Sequence, residues 1–376
     1  MKKKIKPIFN LFLVFSLVFI MSCKKEEDFI KVGAIIPLTG GFASYGEPVR
    51  DGMMLAVEEI NNDGGINGKK LMLIIEDDSG VPKDSVNSFS KLVNIDSVQL
   101  ILGPLSSGCS MATASLANKM KVVQISTLAG IPALSNAGDY VFRVYPSSKL
   151  GARFAADSAI KRFTPKKVAI LYQKNPFGEA AKEIFKEISE KSKIEIVFAD
   201  SFSDGQNDFR TLLTKMNSFD PDLLLCSAYW GEGSKILAQM IELGIDIQVV
   251  GEDGWRGPIA QIVGEKGLKN LYIADIAFGK EIEGNDIMRK FIENFEKKYN
   301  RKSDTYAATG YDAVYLAKKV IEKVGYNAED IKNALYEMKY KGALGSIKFD
   351  KNGDNIGLRY EIFQLNKENE AFLSNI

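Results

Sequence analysis

One pattern constrains this chain more than any other: a strand-and-helix alternation that runs through twice. From Lys31 onward, short β-type apolar runs are separated by longer stretches with apolar residues at helical spacing. Residues 32–36 predict a strand, and 45–61 predict a helix with Val49, Met53, Ala56, Val57 and Ile60 on one face. Further strands are expected at 71–75, 100–102 and 122–125, with helices at 85–93 and 111–120 between them. The series restarts after Arg143-Val144-Tyr145-Pro146. A helix at 150–163 leads into strands at 168–172, 194–198, 223–226 and 249–250, alternating with helices at 180–189, 209–216 and 236–243. Two more helices follow near 287–299 and 306–324, and 346–350 with 359–365 predict a hairpin across Lys351-Asn352-Gly353-Asp354. Repeated strand–helix–strand order implies an α/β fold of two units, each a parallel sheet covered by helices on both faces.

A chain of 376 residues is long for one domain and comfortable for two. Its 45% hydrophobic and 26% charged residues give a globular balance. The net charge of +1, with both signs interspersed, implies no basic face and argues against nucleic acid as a partner. The absence of histidine excludes Ser-His-Asp and Cys-His catalysis and every metal site that needs imidazole. Catalysis by carboxylates or lysine stays open, but nothing points to it, and no cofactor or metal is expected. The three cysteines, Cys23, Cys109 and Cys226, form no CxxC pair, so neither a zinc site nor a disulfide framework is indicated.

The amino terminus has the order of an export signal. Lys2, Lys3, Lys4 and Lys6 precede a nearly unbroken apolar run at 8–20, which stops at Met21-Ser22-Cys23. The run is shorter than the ~20 residues a spanning helix needs. Ile20-Met21-Ser22-Cys23 resembles a bacterial lipobox, in which the cysteine thiol is lipidated and becomes the first residue of the mature chain. Residues 1–22 are then the signal peptide, and the charged 23–30 a tether to the membrane.

In parallel sheets, ligands bind in the crevice outside the carboxyl ends of the strands. Six loops lie there: 37–46, 103–110, 126–132, 172–178, 227–233 and 251–258. Gly103-Pro104-Leu105-Ser106-Ser107-Gly108-Cys109-Ser110 nearly spells a phosphate-binding loop, but Cys109 stands where the lysine must be, so an ATPase is rejected. The helix that begins near Ser107 still offers free N–H groups and a positive dipole end to a carboxylate, although Ser106 or Ser107 would equally serve as a plain cap. Ser126-Thr127-Leu128-Ala129-Gly130 is a small-residue turn that exposes backbone groups. Gly251-Glu252-Asp253-Gly254-Trp255-Arg256-Gly257-Pro258 places an acid where it could hold an ammonium group, or forms an exposed acidic turn. Tyr45, Tyr229 and Trp230 sit at strand ends of both units, as in a mostly apolar small-molecule cleft.

Together these motifs resemble the type I periplasmic-binding-protein superfamily, in its leucine/isoleucine/valine-binding branch. The resemblance rests on Ile36-Pro37-Leu38-Thr39-Gly40 with Tyr45-Gly46 and Gly52, on the run from Ile60 to Gly68 with Glu76-Asp77-Asp78, on Gly103-Pro104 with Ser106-Ser107, and on Tyr306-Ala307-Ala308 with Tyr311-Asp312-Ala313. The string INGKKL is the most specific of them, and the likeness spans nearly the whole mature chain. It implies two Rossmann-like lobes joined by a three-strand hinge. Lobe 1 would comprise 31–145 with 276–345, and lobe 2 would comprise 146–275 with 346–376. The hinge strands would lie near Tyr145-Pro146, Ala274-Asp275 and Gly345-Ser346.

The resemblance also implies ligand contacts. Ser107 would bind an α-carboxylate, and Leu128 and Gly130 would contact the carboxylate and ammonium. Tyr45 would cover the ligand, Tyr229 would face it from lobe 2, and Asp253 would pair the ammonium. Many relatives carry a hydroxyl residue at the position of Gly130, and some a glutamate at that of Asp253. A larger amino acid, an amide or another small carboxylate therefore stays open. The expected function is a lipid-anchored, monomeric binding protein on the outer side of a bacterial membrane, delivering an amino acid to the permease of an ABC importer. A ligand-sensing module for a membrane receptor is the alternative.

Overall fold

A computed structural model describes residues 29–278 and 285–365. The segment expected to be signal peptide, lipidated Cys23 and tether lies outside the described residues apart from its last two positions. The first half of the chain alternates β1 (Ile30–Ile35), α1 (Ala43–Asn62), β2 (Leu71–Glu76), α2 (Pro82–Asn94), β3 (Leu100–Leu102), α3 (Ser107–Met120), β4 (Val123–Ser126) and β5 (Val141–Arg143). These strands form one wholly parallel sheet in the order β2-β1-β3-β4-β5. Buried runs such as Val32-Gly33-Ala34-Ile35 and Leu100-Ile101-Leu102 are apolar on both faces, because helices cover both sides.

The second series comprises α4 (Ser148–Phe163), β6 (Lys167–Gln173), α5 (Pro176–Lys191), β7 (Glu195–Phe202), α6 (Arg210–Asn217), β8 (Leu223–Ser227), α7 (Trp230–Glu242), β9 (Gln248–Glu252), α8 (Ile259–Leu268) and β10 (Leu271–Ile276). The last part holds α9 (Asp286–Tyr299), α10 (Thr305–Val324), α11 (Ala328–Glu337), β11 (Lys339–Lys341), β12 (Ser346–Lys348) and β13 (Tyr360–Gln364). The second sheet runs β13-β10-β9-β8-β6-β7, parallel except for β13, which lies antiparallel to β10 at the edge. Its two faces pack as separate cores. Val249 and Trp255 are buried with α7 and α8, and Val250 and Ala274 with α4 and α5.

The chain returns to its first half after β10. Phe291, Phe295, Val314 and Leu335 are buried in the same core as Val32 and Leu102. α10 packs backbone to backbone on α1. A Cβ on Gly52 would stand 1.9 Å from the carbonyl oxygen of Ala307, and one on Gly310 2.1 Å from that of Val49. No side chain fits at either glycine, and the close approach sets Tyr306 of α10 beside Tyr45 of α1, rings 5.6 Å apart.

Two expectations need correction. The strands at 346–348 and 360–364 do not form a hairpin with each other: β12 pairs antiparallel with β11, and β13 with β10. The boundary expected at 345–346 also falls too early. Ile347 and Phe349 alternate into the first core, and the turn beyond them brings Asp354 onto the buried Arg143. The chain reaches the second sheet only at Tyr360. The crossing segments lie side by side. Asn355 donates to the Val144 carbonyl at 2.8 Å, and the Ala277 N–H donates to the Arg359 carbonyl at 2.9 Å.

Candidate ligand cleft

The carboxyl ends of both sheets face one another, and the loops there enclose a cavity of about 30 Å³. Phe42, Tyr45, Leu105, Ser106, Ser107 and Leu128 wall it from the first lobe, with Tyr306 of α10. Phe177, Tyr229, Asp253 and Gly254 close it from the second. A larger apolar groove of about 270 Å³ lies between α7 and α8, lined by Leu237, Met240, Ile241 and Ile245. It sits at the opposite ends of the strands, with Asp246, Lys266, Lys269 and Asn270 along it, away from the crevice where the carboxyl ends of the two sheets meet, so the smaller space is the candidate site.

On the first-lobe side, α3 begins at the wall. Ser106 is its cap, with Oγ accepting from the Cys109 N–H at 3.3 Å. Ser107 is the first helical residue, and its Oγ accepts from the Ile131 N–H at 3.2 Å, which leaves the hydroxyl proton free to donate. The uncapped N–H groups of the first turn add a partial positive charge. The neighbouring turn is braced from beneath: Arg143 Nη1 donates to the carbonyls of Ala129 at 3.3 Å and Ile131 at 2.8 Å. Leu128 thereby reaches the cavity. Gly130 stands behind it, without a side chain to extend, and its carbonyl accepts from the Ser148 N–H at 2.6 Å. A Cβ on Gly130 would come within 3.0 Å of Ser148 Cβ, so a larger residue there would press on the start of α4.

On the second-lobe side, Asp253 opens a short 3-10 turn, Asp253–Trp255, at the end of β9. Trp255 is fully buried under the turn and donates from Nε1 to the Cys226 carbonyl at 2.8 Å. Burial, aided by the nearby Asp275, pushes the Asp253 carboxyl up to about 7, against the opposing pull of Arg256. Adjacent Glu252 is wholly buried beside Ser227, and burial, aided by the neighbouring Asp253, pushes its carboxyl well up.

Aromatic rings fill the space between the lobes. Tyr229 stacks on Phe177 at 5.4 Å and meets Phe42 and Tyr45 edge-on at 5.2 and 5.8 Å. The hydroxyl of Tyr45 donates to the Gly254 carbonyl at 3.1 Å, and Trp230 Nε1 donates to Ser44 Oγ at 3.4 Å. These bonds span the cleft in a closed arrangement, and a ligand the size of leucine can enter only when it parts.

Five of the residues read from the sequence, Tyr45, Ser107, Leu128, Tyr229 and Asp253, meet at this one cavity. Phe42, Phe177 and Tyr306 were missed as contacts, although the first two lie in strand-end loops and the third in a quoted motif. Arg256 was read only within the 251–258 loop and Asp275 only as a hinge position, and their pairing with each other was not read.

The sequence pattern of the family described as periplasmic binding protein matches residues 30–370. The chain belongs to the periplasmic binding protein family. Among its curated relatives, the Leu/Ile/Val-binding protein homolog 3 of Brucella melitensis is 28% identical over 339 residues, covering 89% of this chain and 91% of the relative. The leucine-, isoleucine-, valine-, threonine- and alanine-binding protein of Pseudomonas aeruginosa is 26% identical over 371 residues, covering 98% of each. Among solved structures, the branched-chain amino acid transporter substrate-binding protein LivJ of Streptococcus pneumoniae, in complex with isoleucine, superposes with a TM-score of 0.84. It is 28% identical, and the match covers 90% of this chain and 97% of that one. A Rhodopseudomonas palustris solute-binding protein in complex with benzoate reaches a TM-score of 0.82 at 20% identity, which shows the shared fold alone. The fold of this family member is thus the two-lobed α/β architecture with parallel sheets expected from the sequence.

Proposed function

We propose that this protein is an extracytoplasmic lipoprotein that captures an amino acid between its lobes and delivers it to an ABC importer. The observation that carries the reading is the placement of Ser107 and Asp253 on opposite walls of one cavity. The helix amino terminus and free hydroxyl at Ser107 suit a carboxylate, the acid at Asp253 suits an ammonium, and the rings and Leu128 between them suit an apolar side chain. A zwitterionic α-amino acid with a branched-chain or similar side chain meets all three demands. The relatives named for leucine, isoleucine and valine support this class. The small closed cavity supports a hinged cycle in which the lobes part, admit the ligand and shut over it. Export and anchoring rest on the amino-terminal sequence.

A thermal-shift screen against the free amino acids tests the reading. A ligand bound only by the native state stabilises it by about 2.7 kcal/mol at a hundredfold excess over Kd. A clear rise in Tm with leucine, isoleucine or valine is expected. No rise with any amino acid contradicts the assignment.

A further inference from the structure

Arg143 ends β5, is 1% exposed, and engages all three nitrogens of its guanidinium. Nη1 donates to the carbonyls of Ala129 and Ile131, on either side of Gly130. Nε donates to Asp354 Oδ1 at 2.6 Å, and Nη2 lies 2.5 Å from the same oxygen and donates to Ser135 Oγ at 2.6 Å. Ser135 in turn donates to the other oxygen of Asp354 at 2.7 Å. The anchor is itself fixed. Asp354 lies on the segment that follows β12, 211 residues along the chain from Arg143. The Arg143 N–H donates to the Gly353 carbonyl at 3.1 Å, and a Cβ on Gly353 would stand 2.2 Å from the Val141 carbonyl oxygen. The returning chain therefore lies flat against β5, with its acid on the guanidinium.

A buried ion pair alone is weak evidence for any role, because well-packed apolar residues of like volume often serve as well. The bonds within the turn after β4 say more. Ser126 Oγ holds the Ala129 N–H at 3.2 Å, Ser107 Oγ holds the Ile131 N–H, and the Ser148 N–H holds the Gly130 carbonyl. Arg143 takes the two carbonyls that remain on either side of Gly130. Among the described residues, this scheme leaves the N–H groups of Leu128 and Gly130 as the turn's uncommitted donors. A trans peptide points its carbonyl and its N–H in opposite directions, so the bond from Arg143 to the Ala129 carbonyl aims the Gly130 N–H away from the buried guanidinium. Leu128 walls the cavity together with Ser107.

We propose that Arg143 is a positioning residue for ligand binding: anchored on Asp354 of the returning chain, it fixes the turn so that the N–H groups of Leu128 and Gly130 stand ready, with Ser107, for a ligand carboxylate. The inference rests on the reading of the cleft as an amino-acid site with the carboxylate at Ser107. A turn held ready loses less freedom when the ligand arrives, so the clamp acts on the carboxylate and leaves the other ligand contacts untouched. Lysine cannot replace the arginine, because a single ammonium cannot span two carbonyls, Ser135 and Asp354.

The test compares leucine with 3-methylbutylamine, its analogue without the carboxylate, by competition calorimetry on the parent, Arg143→Lys and Asp354→Asn. The parent should prefer leucine. In Arg143→Lys the affinity for leucine should fall about tenfold or more while that for the amine changes little, so the preference shrinks. Asp354→Asn keeps the arginine and weakens its anchor. It should move the preference the same way by a smaller factor, and serves also if the lysine variant does not fold. A preference undiminished in the variants, or an equal loss for both ligands, overturns the proposal while the reading of the cleft stands. If the parent binds leucine no better than the amine, the carboxylate reading itself fails and the proposal falls with it.

Discussion

The hydroxyl of Tyr306 donates at 2.9 Å to the backbone carbonyl of Asp253, so a first-lobe helix holds the turn that carries the second lobe's acid. The bond exists only while the lobes are shut. Tyr306→Phe keeps the ring and removes the bond, which is worth about 0.5–1.5 kcal/mol. Ligand affinity should fall a few-fold, mostly through faster release, with Tm of the ligand-free protein nearly unchanged. Stopped-flow dissociation measures it, and an unchanged off-rate would show that the bond does not contribute to closure.

Trp255 sits beneath the same turn, fully buried, with Gly233 and Gly251 making room for its indole. Trp255→Ala should cost about 3–5 kcal/mol of stability by leaving a cavity, and should also orphan the Cys226 carbonyl. Urea unfolding checks this. A loss below about 1 kcal/mol would mean that the turn does not depend on the ring.

Asp312 on α10 accepts the N–H groups of Ala343 and Leu344, each at 2.7 Å, and burial pushes its carboxyl up to about 7. An unfolded aspartate titrates near about 3.9, so the folded state binds this proton more tightly. The stability from this group is fully present below about pH 4 and is lost as pH rises through about 7. The parent should lose stability between pH 5 and 8, and Asp312→Asn, with no proton to release, should lose less. Denaturant unfolding at the two pH values gives the comparison. Equal losses in both proteins would remove Asp312 from the account.

The mature protein should carry lipid on Cys23. Mass spectrometry of membrane-extracted protein should find an acylated amino-terminal cysteine, and Cys23→Ala should release the protein from membranes. An unmodified product cleaved elsewhere would contradict the reading.

Elements with a strong period were legible from the sequence: the parallel strands β1–β4 and β6–β9, the helices α1–α7, α9 and α10, and five cleft residues at strand ends, whereas β5, β10, α8 and α11 were not read. The hairpin expected at 346–365 failed because local alternation in Ile347 and Phe349 marks a buried face and does not say which sheet buries it. Tyr306 was seen as motif and missed as cleft wall, since its place depends on the glycine contact of α1 with α10 across more than two hundred residues. Arg256 and Asp275 were invisible as a pair for the same reason: only the folded sheet brings β10 beside the turn after β9.

The measurement closest to the central claim is a calorimetric comparison of leucine with its des-amino analogue, 4-methylpentanoate, on the parent protein and on Asp253→Asn. If Asp253 receives the ammonium in a closed, desolvated cleft, removing either partner costs about 2–5 kcal/mol of binding. The parent should bind leucine far more tightly than the analogue, and Asp253→Asn should lose most of that preference. Equal binding of the two ligands by the parent, or a preference undiminished in Asp253→Asn, would contradict the account.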